Sequence, residues 1–229
     1  MNCENNIHIN DVHSPIDLKD PIEAKQWAAE VNLKRPWRYD IFQMYVDSIL
    51  ALNPNAHVLE LGSGPGYLAE FLINHCPNID YTAFDFSEAM HDLAKGKLSA
   101  AQRLKCNFIT GDFKQSAWEE SLHFNQNSTF DVIIIHQALH ELRHKAYAAE
   151  FHRTVKTLLN TQGVYFVCDH LYAPHAQQNH ELYMSVEEHL AALKAANYGQ
   201  VECLGEVNGL VLFKSQHSYE RDRLRPFLT

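Results

Sequence analysis

Apolar and polar positions along this chain change period repeatedly, and each change marks a predicted element. Residues 1–19 are polar and aperiodic, which predicts an irregular arm. Asp20-Pro21 then opens a helix, with Asp as N-cap and Pro at the first helical position. Ile22, Trp27, Ala28 and Val31 follow at helical spacing. After a break over residues 32–36, Ile41, Phe42, Tyr45, Val46, Ile49 and Leu50 make a wide apolar stripe closed by Asn53-Pro54. These two helices are expected to cover a sheet edge.

From residue 57 onward, short apolar runs alternate with helical patterns. Residues 57–61, 79–84, 105–110, 130–135 and 164–168 read as strands. The fourth carries four β-branched residues in succession (Val132 to Ile135), which belong in the middle of a parallel sheet. A helix with Tyr67 near its start follows the first run, and Ser87 caps another. Tyr147, Phe151, Val155 and Leu158 mark a third, expected to end at Gly163. Residues 171–184 form a polar, histidine-bearing connection around Pro174, long enough to make part of a pocket wall. Ser185 and Glu188 then form a capping box, and residues 200–204 and 209–213 close the chain as a hairpin-like pair. The βα alternation predicts one α/β domain in three layers, with a seven-stranded, mostly parallel sheet and an antiparallel last strand.

The first strand, Val58-Leu59-Glu60-Leu61, runs into Gly62-Ser63-Gly64-Pro65-Gly66 and then into a helix. Glycine permits positive φ and leaves no Cβ between backbone and ligand, and a helix start presents unpaired N–H groups. The spacing G-x-G-x-G differs from the dinucleotide loop G-x-G-x-x-G. The second strand ends at Asp85, 19 positions beyond Gly66, where an acidic side chain reaches ribose hydroxyls in nucleotide-binding α/β folds. A third strand is followed by Gly111-Asp112-Phe113, and the fourth discharges into His136-Gln137-Ala138-Leu139-His140.

In this order, these segments resemble the motifs of class I S-adenosylmethionine (SAM)-dependent methyltransferases, a Rossmann-like family; VLELGSGPG closely resembles their first motif. The resemblance covers about residues 51–214 and implies SAM as cofactor. It implies a cofactor site of Glu60, Gly62, Ser63, Gly64 and Gly66, of Asp85, Phe86 and Met90, and of Gly111, Asp112, Phe113 and His136. The alternative to a purely covering role for the first two helices is that Tyr39, with Trp37 and Arg38, lies over the cofactor as part of a lid. The expected division is an arm with covering helices over 1–50, the SAM-binding domain over 51–214, and a tail over 215–229.

Composition narrows the partners. With a net charge of −9 and no basic block, the chain offers no track for a nucleic-acid backbone. The five cysteines are scattered without a C-x-x-C pair, and the first residues lack the pattern of a signal peptide. Together these suit a cytoplasmic protein with reduced thiols. No apolar run approaches the ~20 residues of a membrane helix. With no dedicated substrate domain, a small-molecule methyl acceptor is expected, its oxygen or nitrogen attacking the methyl group in line. The mixed charges of the tail suit a surface segment or a homodimer contact.

Fifteen histidines are the compositional oddity. His140 and His170 follow the fourth and fifth strands, where ligands bind in open α/β sheets. They are the expected catalytic base or substrate anchor. His136, His140 and His144, with Asp169-His170 alongside, offer a metal alternative, but no tight motif fixes its geometry, so no metal ligand is assigned. An NAD(P)-dependent oxidoreductase and a non-catalytic SAM-fold binding subunit are the competing classes.

Overall fold

A computed structural model describes residues 9–122 and 129–217; the first eight residues of the expected arm and the tail beyond His217 lie outside them. One seven-stranded sheet organises the chain. β1 (His57–Leu61), β2 (Asp80–Asp85), β3 (Cys106–Thr110), β4 (Phe130–His136) and β5 (Leu159–His170) run parallel. β7 (Leu210–Gln216) pairs antiparallel with β5, and β6 (Gln200–Val207) pairs antiparallel with β7. The order across the sheet is β3-β2-β1-β4-β5-β7-β6. The chain leaves β1 toward one edge and resumes at β4 on the other side, so a crevice opens beyond the carboxyl ends of β1 and β4.

Alternation along the central strands divides the core between two faces. Val58, Val132 and Ile134 face one layer with α2 (Arg38–Leu52) and α3 (Tyr67–His75). Leu59, Leu61, Ile133 and Ile135 face the other, under α6 (Ala148–Leu158) and α7 (Val186–Ala195). The Ser185–Glu188 capping box is present, Ser87 caps α4 (Glu88–Lys97) by accepting from the Met90 N–H, and Ser99 with Gln102 forms a second capping box on the short α5 (Ala100–Arg103). The final hairpin turns on two residues, Asn208 (φ 49°) and Gly209 (φ 76°). Both are left-handed, as the twist of a two-residue hairpin loop requires.

Four expectations need correction. α1 (Pro21–Lys34), capped by Asp20, runs through Asn32 and buries Ala24, Ala28 and Val31, leaving Ile22 77% exposed. Helix α2 lies over the face of the sheet, not its edge, because its stripe is wide enough to pack on the central strands. α6 ends at Leu158, and Gly163 sits inside β5, where a Cβ would meet Leu159 Cδ1 at 2.7 Å and the Asp131 carbonyl oxygen at 3.0 Å. Close approach, not helix capping, is what selects glycine there. Ser215 and Gln216 belong to β7, with Ser215 fully buried, so the tail begins later than expected.

Candidate active site

A cavity of about 330 Å³ lies beyond the carboxyl ends of β1, β2, β4 and β5. Its floor is the glycine loop, and the three glycines serve different ends. A Cβ on Gly62 (φ 69°) would meet Ala138 Cβ at 2.4 Å, and one on Gly66 (φ 80°) would meet Ala94 Cβ at 2.6 Å. Both are packing positions. A Cβ on Gly64 (φ 54°) would meet nothing within 4 Å, since that residue borders the cavity. The loop is anchored by Asp85: Oδ2 accepts from the Gly64 N–H at 2.7 Å and Oδ1 from the Ser87 N–H at 2.9 Å. Burial pushes the Asp85 carboxyl up to about 6, with the Gly64 and Ser87 N–H groups opposing. Glu60 is also buried and accepts from the Tyr81 hydroxyl. Burial raises it to about 8, against the pull of Tyr81 and Arg38.

At the other end, His140 and Asp169 are joined. His140 Nδ1 lies 2.7 Å from Asp169 Oδ1, and the His140 backbone N–H donates to Oδ2 at 2.7 Å. The His170 N–H donates to Oδ1 at 2.7 Å. Burial disfavours charge on both partners, but the pair outweighs it: His140 is raised to about 10 and Asp169 lowered to about 2. Glu141 Oε1 stands 3.4 Å from the free His140 Nε2 and adds to that bias. His170 goes the opposite way, to about 4, through burial and the neighbouring positive charges of His140, Arg35 and Arg38. Gln137, held at φ 54°, brings Nε2 to 3.1 Å from His170 Nε2.

The arm closes over this cavity. Ser14, Pro15, Ile16 and Leu18 line it, and the segment is tied down by Arg143. The Arg143 guanidinium donates from Nε to the Val12 carbonyl at 2.7 Å and from Nη2 to the His13 carbonyl at 2.8 Å. The Val12 N–H returns a bond to the Arg143 carbonyl at 2.8 Å. Trp27 and Val31 of α1, Arg35 just after it, Arg38 of α2, and Leu182 and Tyr183 from the 171–184 connection complete the wall. Arg38 is only 7% exposed, its Nε and Nη1 have no hydrogen-bond partner, and its guanidinium lies 5.2 Å from the Phe42 ring centre. Gln137 Oε1 and Ser63 Oγ are likewise buried without partners.

Among the residues expected from the sequence, Glu60, Gly62, Ser63, Gly64, Asp85, Phe86, Met90, Phe113, His136, His140 and His170 line this cavity. Tyr39 does not. Its ring packs against Phe42 and Phe71, at 5.1 and 5.7 Å between centroids, because α2 turns Arg38, not Tyr39, to the cavity. Gly66 and Gly111 serve packing, Gly111 against the Phe84 ring. Asp112 faces an adjoining groove beneath the arm and caps the Lys114 N–H at 2.9 Å. His136 Nδ1 pairs with the Tyr45 hydroxyl at 3.0 Å, and burial and Arg38 hold the imidazole neutral. His144 caps the Ala146 N–H. The i, i+4, i+8 histidine spacing forms no common face, because two short 3₁₀ turns are broken by Arg143 at φ 67°. Among the described residues, no group of three or more His, Cys, Asp or Glu side chains is placed to hold a metal ion.

Residues 58–163, just under half of the chain, match the family model described as a methyltransferase domain. Curated relatives include malonyl-[acyl-carrier protein] O-methyltransferases of Bacillus anthracis, 30% identical over 113 residues, and of Paenibacillus sp., 29% identical over 87. Those matches cover 49% and 38% of this chain, and 38% and 30% of the relatives' own length. Among solved structures, an O-methyltransferase from neocarzinostatin biosynthesis, in complex with S-adenosyl-L-homocysteine and 1,4-dihydroxy-2-naphthoic acid, aligns with a TM-score of 0.67 at 15% identity. It covers 86% of this chain and 59% of that one. An S-adenosylmethionine-dependent methyltransferase from Clostridium acetobutylicum aligns at 0.61 and 15% identity, covering 85% and 99%. The fold is therefore the class I, Rossmann-like methyltransferase fold, and the chain contains a methyltransferase domain within it. No helix among the described residues is long and apolar enough to cross a membrane.

Proposed function

We propose that the chain is a SAM-dependent methyltransferase acting on an oxygen of a small-molecule acceptor. The observation that carries this reading is the set of orphaned polar atoms around the cavity. The Arg38 guanidinium lacks an anion, and Gln137 Oε1 lacks a donor. An amino-acid zwitterion supplies both, and buried polar groups of this kind are costly to leave unpaired. The open face of Gly64 leaves room for that ligand against backbone, and each Asp85 oxygen keeps a lone pair for a ribose hydroxyl. Phe86 and Met90 offer apolar surface for the adenine, while the arm residues exclude water from above.

Bound SAM supplies a methyl carbon activated by the attached sulfonium. The protein's part is to orient the acceptor oxygen in line with it, as the oxygen–carbon bond forms and the carbon–sulfur bond breaks. Asp169 fixes His140 by Nδ1, leaving Nε2 for the acceptor. With its imidazole raised to about 10, His140 is the imidazolium near neutral pH, so its Nε2–H donates to an acceptor oxygen that is already ionised and anchors it in line. Taking the proton of an acceptor hydroxyl needs the neutral ring, which is populated only toward pH 10. The names of the curated relatives point to the same oxygen chemistry for those proteins.

Titration calorimetry with SAM, S-adenosylhomocysteine and NAD tests the reading. SAM and its demethylated product should bind, NAD should not, and Arg38→Met should weaken both by at least about tenfold, the scale of a lost charged hydrogen bond. Binding of NAD in preference to SAM would overturn the proposal. Binding without turnover on any acceptor would favour the non-catalytic subunit. The division into an arm with covering helices over 1–50, part of the same domain, a SAM-binding domain over 51–214 and a tail from 215 belongs to the same proposal. It is amended in that residues 14–16 and 18 of the arm also wall the site and β7 runs on to Gln216.

A further inference from the structure

The cavity holds more unanswered positive charge than one SAM carboxylate accounts for. Among the described residues neither Arg35 nor Arg38 forms an ion pair, although Arg143 and Arg153 each find a glutamate. Both line the same cavity, three positions apart across the junction of α1 and α2. Arg38 lies at the buried end, close enough to Glu60 and His136 to shift their titration. Arg35 follows α1, its backbone N–H donating to the Val31 carbonyl at 3.1 Å, and lines the cavity together with Val31, Tyr183 and His170; Tyr183, Asp169 and His170 feel its charge, His170 that of Arg38 as well.

This part of the cavity has the form of a subsite. The rings of His140, His170 and Tyr183 make a triangle, with centroids 5.6, 5.5 and 5.9 Å apart. Trp27, Val31 and Leu182 add apolar wall beside it. A guanidinium that lines the same cavity as these rings and, among the described residues, pairs with no carboxylate can receive a planar, two-oxygen anion in its fork. Asp169 is committed to His140, which donates to both its oxygens, and to the His170 N–H, and forms no ion pair with Arg35.

Resting on the SAM-dependent reading above, we propose that the acceptor is a small carboxylic acid, its carboxylate paired with Arg35 and its body held against His140, His170 and Tyr183. Arg35 is thus a specificity residue for the acceptor, and Arg38 the partner of the cofactor's own carboxylate. A phosphate monoester is disfavoured because this end presents one free fork, and a dianion with three oxygens would keep most of its acceptors unpaired.

The full chain is first titrated with S-adenosylhomocysteine. The saturated protein is then titrated with benzoate, phenylacetate, 4-hydroxybenzoate and hexanoate, with the amide of each, and with phenyl phosphate. At least one acid should bind tenfold or more above its amide, roughly the scale of a charged hydrogen bond in a half-buried site. Arg35→Met should erase that preference while leaving S-adenosylhomocysteine affinity and melting temperature unchanged, and Arg35→Lys should keep part of it. Amides binding as well as acids, phenyl phosphate binding better, no acid binding, or a preference that survives in Arg35→Met would each overturn the assignment. If S-adenosylhomocysteine itself does not bind, the cofactor reading fails and this inference falls with it. If it binds and the acids show no preference, only the acceptor class fails.

Discussion

His140 and Asp169 are bonded twice, through the imidazole Nδ1 and through the backbone N–H, each at 2.7 Å from a different carboxylate oxygen. The double attachment fixes both the ring and the turn that carries it. It also joins the end of β4 to the end of β5 across the floor of the acceptor end. Breaking a buried pair of this kind by removing one partner typically costs about 3–5 kcal/mol.

The first prediction follows from the signs of the two shifts. His140 is raised above its unfolded value, to about 10, so its contribution is complete below about pH 6.5 and fades as pH rises through 10. Asp169 is depressed to about 2, so its contribution is complete above about pH 4 and fades as pH falls through 2. These are two views of one pair, counted once. Asp169→Asn should therefore lower the melting temperature most between about pH 4 and 6.5, and progressively less toward pH 10. A deficit that stays constant across that range would mean the pair carries no net charge.

The glycine loop gives a second prediction, in which neighbouring residues fail differently. Ala on either Gly62 or Gly64 carries the strain of a left-handed backbone, about 1–2 kcal/mol. Only Gly62→Ala also drives a Cβ to 2.4 Å from Ala138, so this variant should lose stability and cofactor binding together. Gly64→Ala meets open space, and should stay folded while losing affinity for SAM. Paired thermal melts and cofactor titrations separate the two; equal melting losses would remove the distinction.

Cofactor affinity should depend on pH. Burial raises Glu60 to about 8 and Asp85 to about 6, so in the unliganded protein Glu60 favours the neutral form up to about pH 8 and Asp85 only below about pH 6. A ligand carrying an ammonium and a sulfonium beside them favours the ionised forms. Binding then releases protons, and affinity rises from pH 5 to 8 by at most about tenfold per unit for each proton released, levelling above 8. Calorimetry in buffers of different ionisation enthalpy counts the protons. In the unliganded chain the raised Glu60 stabilises most below its unfolded value, and loses that contribution as pH climbs through 8. Glu60→Gln should therefore gain on the wild type in melting temperature over that window.

Much of this was legible in the residues because strand ends carry local signals. Four β-branched residues mark β4, three spaced glycines mark the turn after β1, Asp85 ends β2, and His140 follows β4 by four residues. What the sequence hid were relationships between distant elements. Tyr39 and Arg38 are adjacent, and only the packing of α2 on Phe42 and Phe71 decides that Arg38 faces the cavity. Asp169 is visible as a strand-end acid, but nothing local shows its bond to a residue 29 positions earlier. The arm over residues 9–19 has no periodicity, because its structure comes from bonds donated by Arg143.

That bond set supports the last prediction. Arg143 holds the arm by two guanidinium bonds to carbonyls and accepts one in return from the Val12 N–H. Its backbone is already left-handed at φ 67°, so Arg143→Ala changes the side chain without adding backbone strain. The variant should remain folded but leave the Val12 and His13 carbonyls to water, loosening Ser14, Pro15 and Ile16 over the cavity. S-adenosylhomocysteine should then dissociate faster, by about tenfold or more if two charged hydrogen bonds hold the closed form. Limited proteolysis should cut within residues 12–18 sooner than in the wild type, and Arg143→Lys, which lacks the fork, should rescue little. Stopped-flow release of the ligand is the deciding measurement. An unchanged dissociation rate, together with enhanced cleavage, would show that the arm covers the site without controlling access to it.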